Sequence, residues 1–166
     1  MSSPSIWPRI TIVTPSYNQA AYLEQTIRSV VDQDCPGLEY IVVDGGSTDG
    51  SVDIIRRYED RLAWWASEPD HGQPHAINKG FRRATGDVVA WLNSDDFYFR
   101  GALARVAASF RDESADWVVG HTVSVDAAGR RTGVENRMFS EDPATWFRIS
   151  REFFLPQQGS FWRKDV

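Results

Sequence analysis

Hydrophobic residues along this chain fall into two patterns that take turns. Ile10 to Thr14, Tyr40 to Val43 and Val88 to Leu92 are short continuous apolar runs, rich in β-branched residues. That length and composition predict buried strands. Between them, Leu23, Ile27, Val30 and Val31 recur at helical spacing and predict an amphipathic helix ending near Pro36-Gly37. Val52, Ile55 and Tyr58 predict a second helix, with an N-cap offered by Ser47-Thr48-Asp49. Ile77, Gly80, Phe81 and Ala84 mark a third, and Leu103, Val106, Ala107 and Phe110 a fourth. Leu62 to Ala66 and Trp117 to Val119 complete the strands.

Strand and helix thus alternate four times over short connections, which predicts a mostly parallel sheet covered on both faces. After residue 120 the pattern changes. Val123 to Val125, the turn Ala127-Ala128-Gly129 and a polar strand predict an antiparallel hairpin. Pro143 is placed to start a short helix through Ile149, and QQGSFWRKDV at 157–166 reads as a further strand entering another element.

Composition narrows the classes. A chain of 166 residues with 42% hydrophobic and 25% charged residues is long enough for one domain with its own core. The net charge of −5 offers no basic surface for nucleic acid. A single cysteine, Cys35, excludes an internal disulfide and fits a reducing compartment. No apolar stretch approaches the roughly 20 residues of a membrane helix. The expected location is cytoplasmic, with peripheral membrane association left open.

The chemistry sits where strands end. The first, second and fourth runs close on Thr14-Pro15-Ser16-Tyr17-Asn18, Asp44-Gly45-Gly46-Ser47 and Asn93-Ser94-Asp95-Asp96. Right-handed crossovers bring such ends to one edge of a parallel sheet, where ligands bind. Asp44 can accept a hydrogen bond from a nucleobase imide or a ribose hydroxyl. Asp95 and Asp96 suit Mg2+ or Mn2+, hard cations that take carboxylates and substrate phosphates together. Each feature also has a plainer reading: Asp44-Gly45-Gly46 as a turn, Asp70-His71-Gly72 as another, Lys79 as a solvated helix lysine, and Trp64, Trp65 and Trp91 as core.

Taken in order, VTPSYNQAAYLEQTIRSVVDQ (13–33), IVVDGGSTDGS (41–51), SEPDHGQPHAINKGFRRATGD (67–87) and WLNSDD (91–96) resemble the inverting family-two glycosyltransferases. The likeness covers about the first 110 residues and continues weakly through LPQQGSFWR (155–163). It implies the GT-A fold, a Rossmann-like three-layer α/β/α sandwich with a mostly parallel central sheet and a partial antiparallel acceptor-side extension. It also implies a nucleotide-diphospho-sugar donor, commonly a UDP-sugar, and a saccharide or lipid-linked saccharide acceptor in surface glycan synthesis. By the resemblance Thr14, Pro15 and Tyr17 line the nucleobase pocket, Asp44 with Gly45 meets base or ribose, and Asp95 is the metal ligand. Asn93, Ser94 and Asp96 stand beside the donor, Lys79 is a candidate for its phosphates, and Gln157 and Gln158 for the acceptor side.

Two positions depart from the family pattern. Asn93 stands where an Asp usually opens the acidic motif, and His75 where some relatives carry an acid. The family's catalytic base follows the segment matching QQGSFWR, and only Lys164, Asp165 and Val166 remain here. The expectation is therefore a single domain over 1–166, truncated at its C-terminus, with a nucleotide-sugar-binding half (1–110) and the start of an acceptor-side half (111–166). Its general base is expected beyond Val166. The rival reading is a nucleotide-sugar-binding module without transfer activity.

Overall fold

The computed structural model describes residues 7–111, 115–126, 129–135 and 156–166. Its parallel strands are β1 (Ile10–Ser16), β2 (Leu38–Asp44), β3 (Trp64–Ser67) and β4 (Val88–Trp91). Between and after them lie α1 (Ala20–Val31), α2 (Ser51–Arg57), α3 (Gln73–Phe81) and α4 (Ala102–Ser109). The shorter strands β5 (Trp117–Val119), β6 (Thr122–Val125), β7 (Arg131–Glu135) and β8 (Ser160–Arg163) follow. Among the described residues the main sheet runs β3-β2-β1-β4-β8-β5, and β6 and β7 pair apart from it as the expected hairpin.

Strand parity decides what covers each face. Successive side chains point to opposite sides, so Ile10 and Ile12, with Tyr40, Val42 and Ala90, meet Leu23 and Ile27 of α1, Ile55 of α2 and Leu103 of α4. Val13, Ile41 and Val43 point the other way, onto Ala76 of α3 and the partly buried Trp64, Phe81 and Trp91. Burying one such aliphatic side chain contributes about 1.5–3 kcal/mol, which outweighs any single turn preference. The result is the expected three-layer sandwich. Gly80 lets α3 come close: a Cβ there would lie 2.4 Å from Val13 Cγ1.

Some boundaries differ from expectation. The third strand starts at Trp64, because Leu62 closes a 3-10 turn over Glu59–Arg61. The third helix ends at Phe81, leaving Ala84 beyond it. The largest difference concerns the C-terminal strand. β8 inserts antiparallel between β4 and β5, pairing Val89 with Trp162 and Trp162 with Trp117. This puts Trp162 edge-on to Trp91 and Phe81, at ring separations of 5.5 and 5.7 Å, under α3. The helix expected from Pro143 to Ile149, with Trp146, and the turn residues Ala127 and Ala128 lie outside the described residues.

At the foot of the sheet Glu39 is buried and ties three segments together. Its carboxylate accepts from Thr11 Oγ1 (2.5 Å), Thr85 N–H (2.7 Å), Thr85 Oγ1 (2.7 Å) and Arg9 Nη2 (3.2 Å). Burial pushes this carboxyl up, but the hydrogen bonds and the Arg9 charge outweigh it and hold the pKa below its ordinary value.

Candidate functional site

The carboxyl ends of β1 and β2 are level, with Ser16 opposite Asp44, and Asp44 is in turn level with Ser67 of β3. Above this edge opens a cavity of about 600 Å³. The loop after β1 lines it with Pro15, Ser16 and Tyr17, and the loop after β2 with Gly45. Asp70 and Gln73 enter from the approach to α3, and Asn93, Ser94 and Asp95 from the end of β4. Three strand ends therefore converge, as chain order and handedness require.

The loop after β2 is shaped by Asp44, which is 1% exposed. Its carboxylate accepts from Gly46 N–H (3.0 Å), Ser47 N–H (2.8 Å), Ser47 Oγ (2.5 Å) and Ser67 Oγ (2.7 Å). Gly46 takes a φ of +84°, a conformation that a β-carbon disfavours. Asp44 thus holds its own loop and ties it to the end of β3, with Oδ2 accepting three of these bonds and Oδ1 one. Thr14 also turns its side chain inward. It shares a strand face with Ile10 and Ile12, is fully buried, and its Oγ1 accepts from Tyr40 Oη at 3.0 Å. Lys79 does not line the cavity either; it pairs with Glu68 and lies 5.8 Å from the Trp64 ring centroid.

The N-cap position of α2 is Gly50 and not one of the expected Ser47-Thr48-Asp49, but Asp49 beside it bonds two helix starts. It accepts from Ala20 N–H (2.8 Å) at the start of α1 and from Ser51 N–H (3.0 Å) at the start of α2. One carboxylate thereby serves two helix N-termini and fixes the loops after β1 and β2 against each other. Asn18 N–H donates to Ser47 Oγ at 2.8 Å across the same seam.

At the end of β4, Asp95 is exposed to the cavity while Asp96 is half-buried. Burial, then the neighbouring Asp95 charge, raises the Asp96 pKa despite a hydrogen bond from Asn93. Asn93 is the local junction. Its Oδ1 accepts from Gln73 Nε2 (2.8 Å), and its Nδ2 donates to Gln157 Oε1 (3.0 Å) and to Asp96 Oδ2 (3.3 Å). Gln157 in turn donates to the Trp91 carbonyl, so it braces the acidic loop from the far end of the chain. Gln158 sits next to it in the 3-10 turn Gln157–Gly159.

Ser16, Asp70 and Gln73 line the cavity but were not singled out from the sequence. Ser16 offered a signal, being the last residue of a strand before an aromatic; Asp70 looked like a turn residue only. Ser16 is 4% exposed and its Oγ has no partner among the described residues.

Residues 11–162 match the model for glycosyl transferase family 2. The chain belongs to that family. A putative teichuronic acid biosynthesis glycosyltransferase, TuaG of Bacillus subtilis, is 42% identical over 101 residues, 59% of this chain and 40% of that protein. An uncharacterized glycosyltransferase of Nostoc is 30% identical over 95% of this chain and 52% of its own length. Staphylococcus aureus TarS in complex with UDP superimposes with a TM-score of 0.77 at 25% identity, covering 94% of this chain and 47% of that one. A Pyrobaculum calidifontis mannosyltransferase in complex with GDP-Man and Mn2+ gives 0.60 at 33% identity, over 66% of this chain and 34% of that one. The family-two chain spans about half the length, or less, of these relatives. Its architecture is the GT-A fold of these neighbours.

Among the described residues no three His, Cys, Asp or Glu side chains cluster as a metal cage. Asp95 in the cavity, with Asp96 next to it in the chain, still fits a cation whose remaining ligands come from a substrate diphosphate. Among the described residues no helix is long and apolar enough to cross a membrane.

Proposed function

We propose that this chain binds a nucleoside-diphosphate sugar in the cavity above β1, β2 and β4 and provides the donor side of an inverting glycosyl transfer to an acceptor hydroxyl. The observation that carries the reading is Asp95, exposed at the end of β4 into a cavity walled by three other loops. Asp95, with Asp96 beside it, would hold Mg2+ or Mn2+. When bound, such a cation neutralises charge on the departing diphosphate. Asn93 and Gln157 hold the acidic loop in place, while Asp44 and Asp49 fix the loops that enclose the nucleoside.

The acceptor belongs to surface glycan synthesis in this reading, which the teichuronic acid relative supports. Attack by the acceptor hydroxyl requires a carboxylate base, and none of the cavity residues is assigned that part.

The test is thermal unfolding with UDP and Mn2+. Ligand at about 100 times its Kd stabilises by about 2.7 kcal/mol, or roughly 5–10 °C for a domain of this size. Asp95→Ala should abolish the metal-dependent part of the rise. An unchanged melting curve at millimolar UDP and Mn2+ refutes the reading. A protein that binds UDP but neither transfers nor hydrolyses the donor sugar is a binding module instead.

A further inference from the structure

The cavity holds a second carboxylate that the acidic loop does not account for. Asp70 lies over the loop after β2, and an ideal Cβ built on Gly45 would stand 3.2 Å from its Oδ2 and 3.3 Å from its Cγ and Oδ1. Any side chain at 45 would crowd Asp70 and make it shift by a few tenths of an ångström. Asp70 Oδ1 accepts from Gly72 N–H at 2.7 Å, while Oδ2 has no partner among the described residues. Asp44, the carboxylate closest in sequence to this spot, already accepts three hydrogen bonds from its own loop and a fourth from Ser67 at the end of β3.

An anionic, half-buried carboxylate repels phosphate, so its end of the cavity is not the diphosphate end. Asp95 and Asp96, with a cation, mark that end. The same cavity is lined by Pro15, Pro69 and Tyr17, residues whose apolar surfaces suit a flat heterocycle. A single open carboxylate oxygen next to such surfaces accepts one N–H.

On the reading of the cavity as a nucleotide-sugar site, we propose that Asp70 reads the nucleobase, its Oδ2 accepting the ring N–H of uracil or guanine, with the missing Cβ of Gly45 leaving it uncrowded. Cytosine carries a lone pair at that ring position and is rejected by the carboxylate. Asp70→Asn inverts the pattern. The amide oxygen keeps the bond from Gly72 N–H, and the amide nitrogen, now a donor, faces the ligand and suits cytosine.

The experiment is calorimetric titration of the protein with UDP, GDP, CDP and inorganic pyrophosphate, each with Mn2+. The wild type should bind UDP or GDP at least about tenfold more tightly than CDP, as expected for a hydrogen bond to a charged group. Comparison of UDP with GDP tells which base supplies the N–H. Asp70→Asn should abolish or reverse the preference over CDP while pyrophosphate affinity stays within about twofold. Gly45→Ala, which crowds Asp70 without removing its charge, should also erode the preference and spare pyrophosphate.

An unchanged UDP-to-CDP ratio in Asp70→Asn overturns the inference and leaves the donor site standing. An equal loss of all four ligands does the same, since it makes Asp70 a structural residue. Failure of the wild type to bind any of them overturns the donor site itself.

Discussion

Replacing Asp44 separates two accounts of the residue that share the same sequence. Its carboxylate is buried, with Oδ2 accepting from Gly46 N–H, Ser47 N–H and Ser67 Oγ, and Oδ1 from Ser47 Oγ. In Asp44→Ala the two serine hydroxyls can turn to other partners, but the two backbone N–H groups cannot. Hydrogen bonds to a charged group are worth about 1.5–3 kcal/mol each, and a partly wet loop recovers some of that. The expected loss is therefore about 2–4 kcal/mol. With a urea slope of about 2 kcal/mol per M, the unfolding midpoint falls by about 1–2 M.

Asp44→Asn is different, because the geometry gives its amide a place. The oxygen takes the Oδ2 position and keeps three donors, while the NH2 faces Ser47 Oγ, which can accept as well as donate. Only charge assistance is lost, about 1 kcal/mol or a midpoint change near 0.5 M. Urea titration followed by the fluorescence of the partly buried tryptophans measures both. The reasoning is refuted if Asn and Ala unfold at the same urea concentration, or if Ala costs less than about 1 kcal/mol.

Other outcomes follow from the same structure. Gly80→Ala drives a methyl into Val13; overpacking of about 1–3 kcal/mol exceeds the helix-propensity gain of about 1 kcal/mol, so urea denaturation should show a net loss. Glu39→Gln should be destabilising at pH 7 and progressively less so towards pH 3. The sign follows from a native pKa held below the unfolded value of about 4.3: the stabilisation is complete above that value and is lost as pH falls through the native one. A Glu39→Gln deficit that grows on acidification would contradict this. Asn93→Asp removes the donor to Asp96 and sets like charges 3.3 Å apart, so the melting temperature should drop without metal. Millimolar Mn2+ should then raise it more than it raises the wild type, and an equal metal effect in both proteins would count against a cation at this loop.

What the residues determined by themselves was periodicity and its consequences. Runs of β-branched residues alternating with helical spacing dictate a parallel sheet with helices on both faces, and chain order places the polar ends after β1, β2 and β4 on one edge. Thr14 shares the strand face of Ile10 and Ile12, at steps of two, although the resemblance placed it in the nucleobase pocket. The tertiary structure decided everything that depends on partners distant in sequence. Gln157 reaches Asn93 across 64 positions, Ser67 completes the shell of Asp44, and β8 slips between β4 and β5. Asp70 settles against Gly45 only because the loop before α3 folds back over β2. The reason is physical. Local pattern sets which face a side chain takes, whereas the state of a carboxylate, spent on its own loop or open to a ligand, depends on which donors the packed chain brings within about 3 Å.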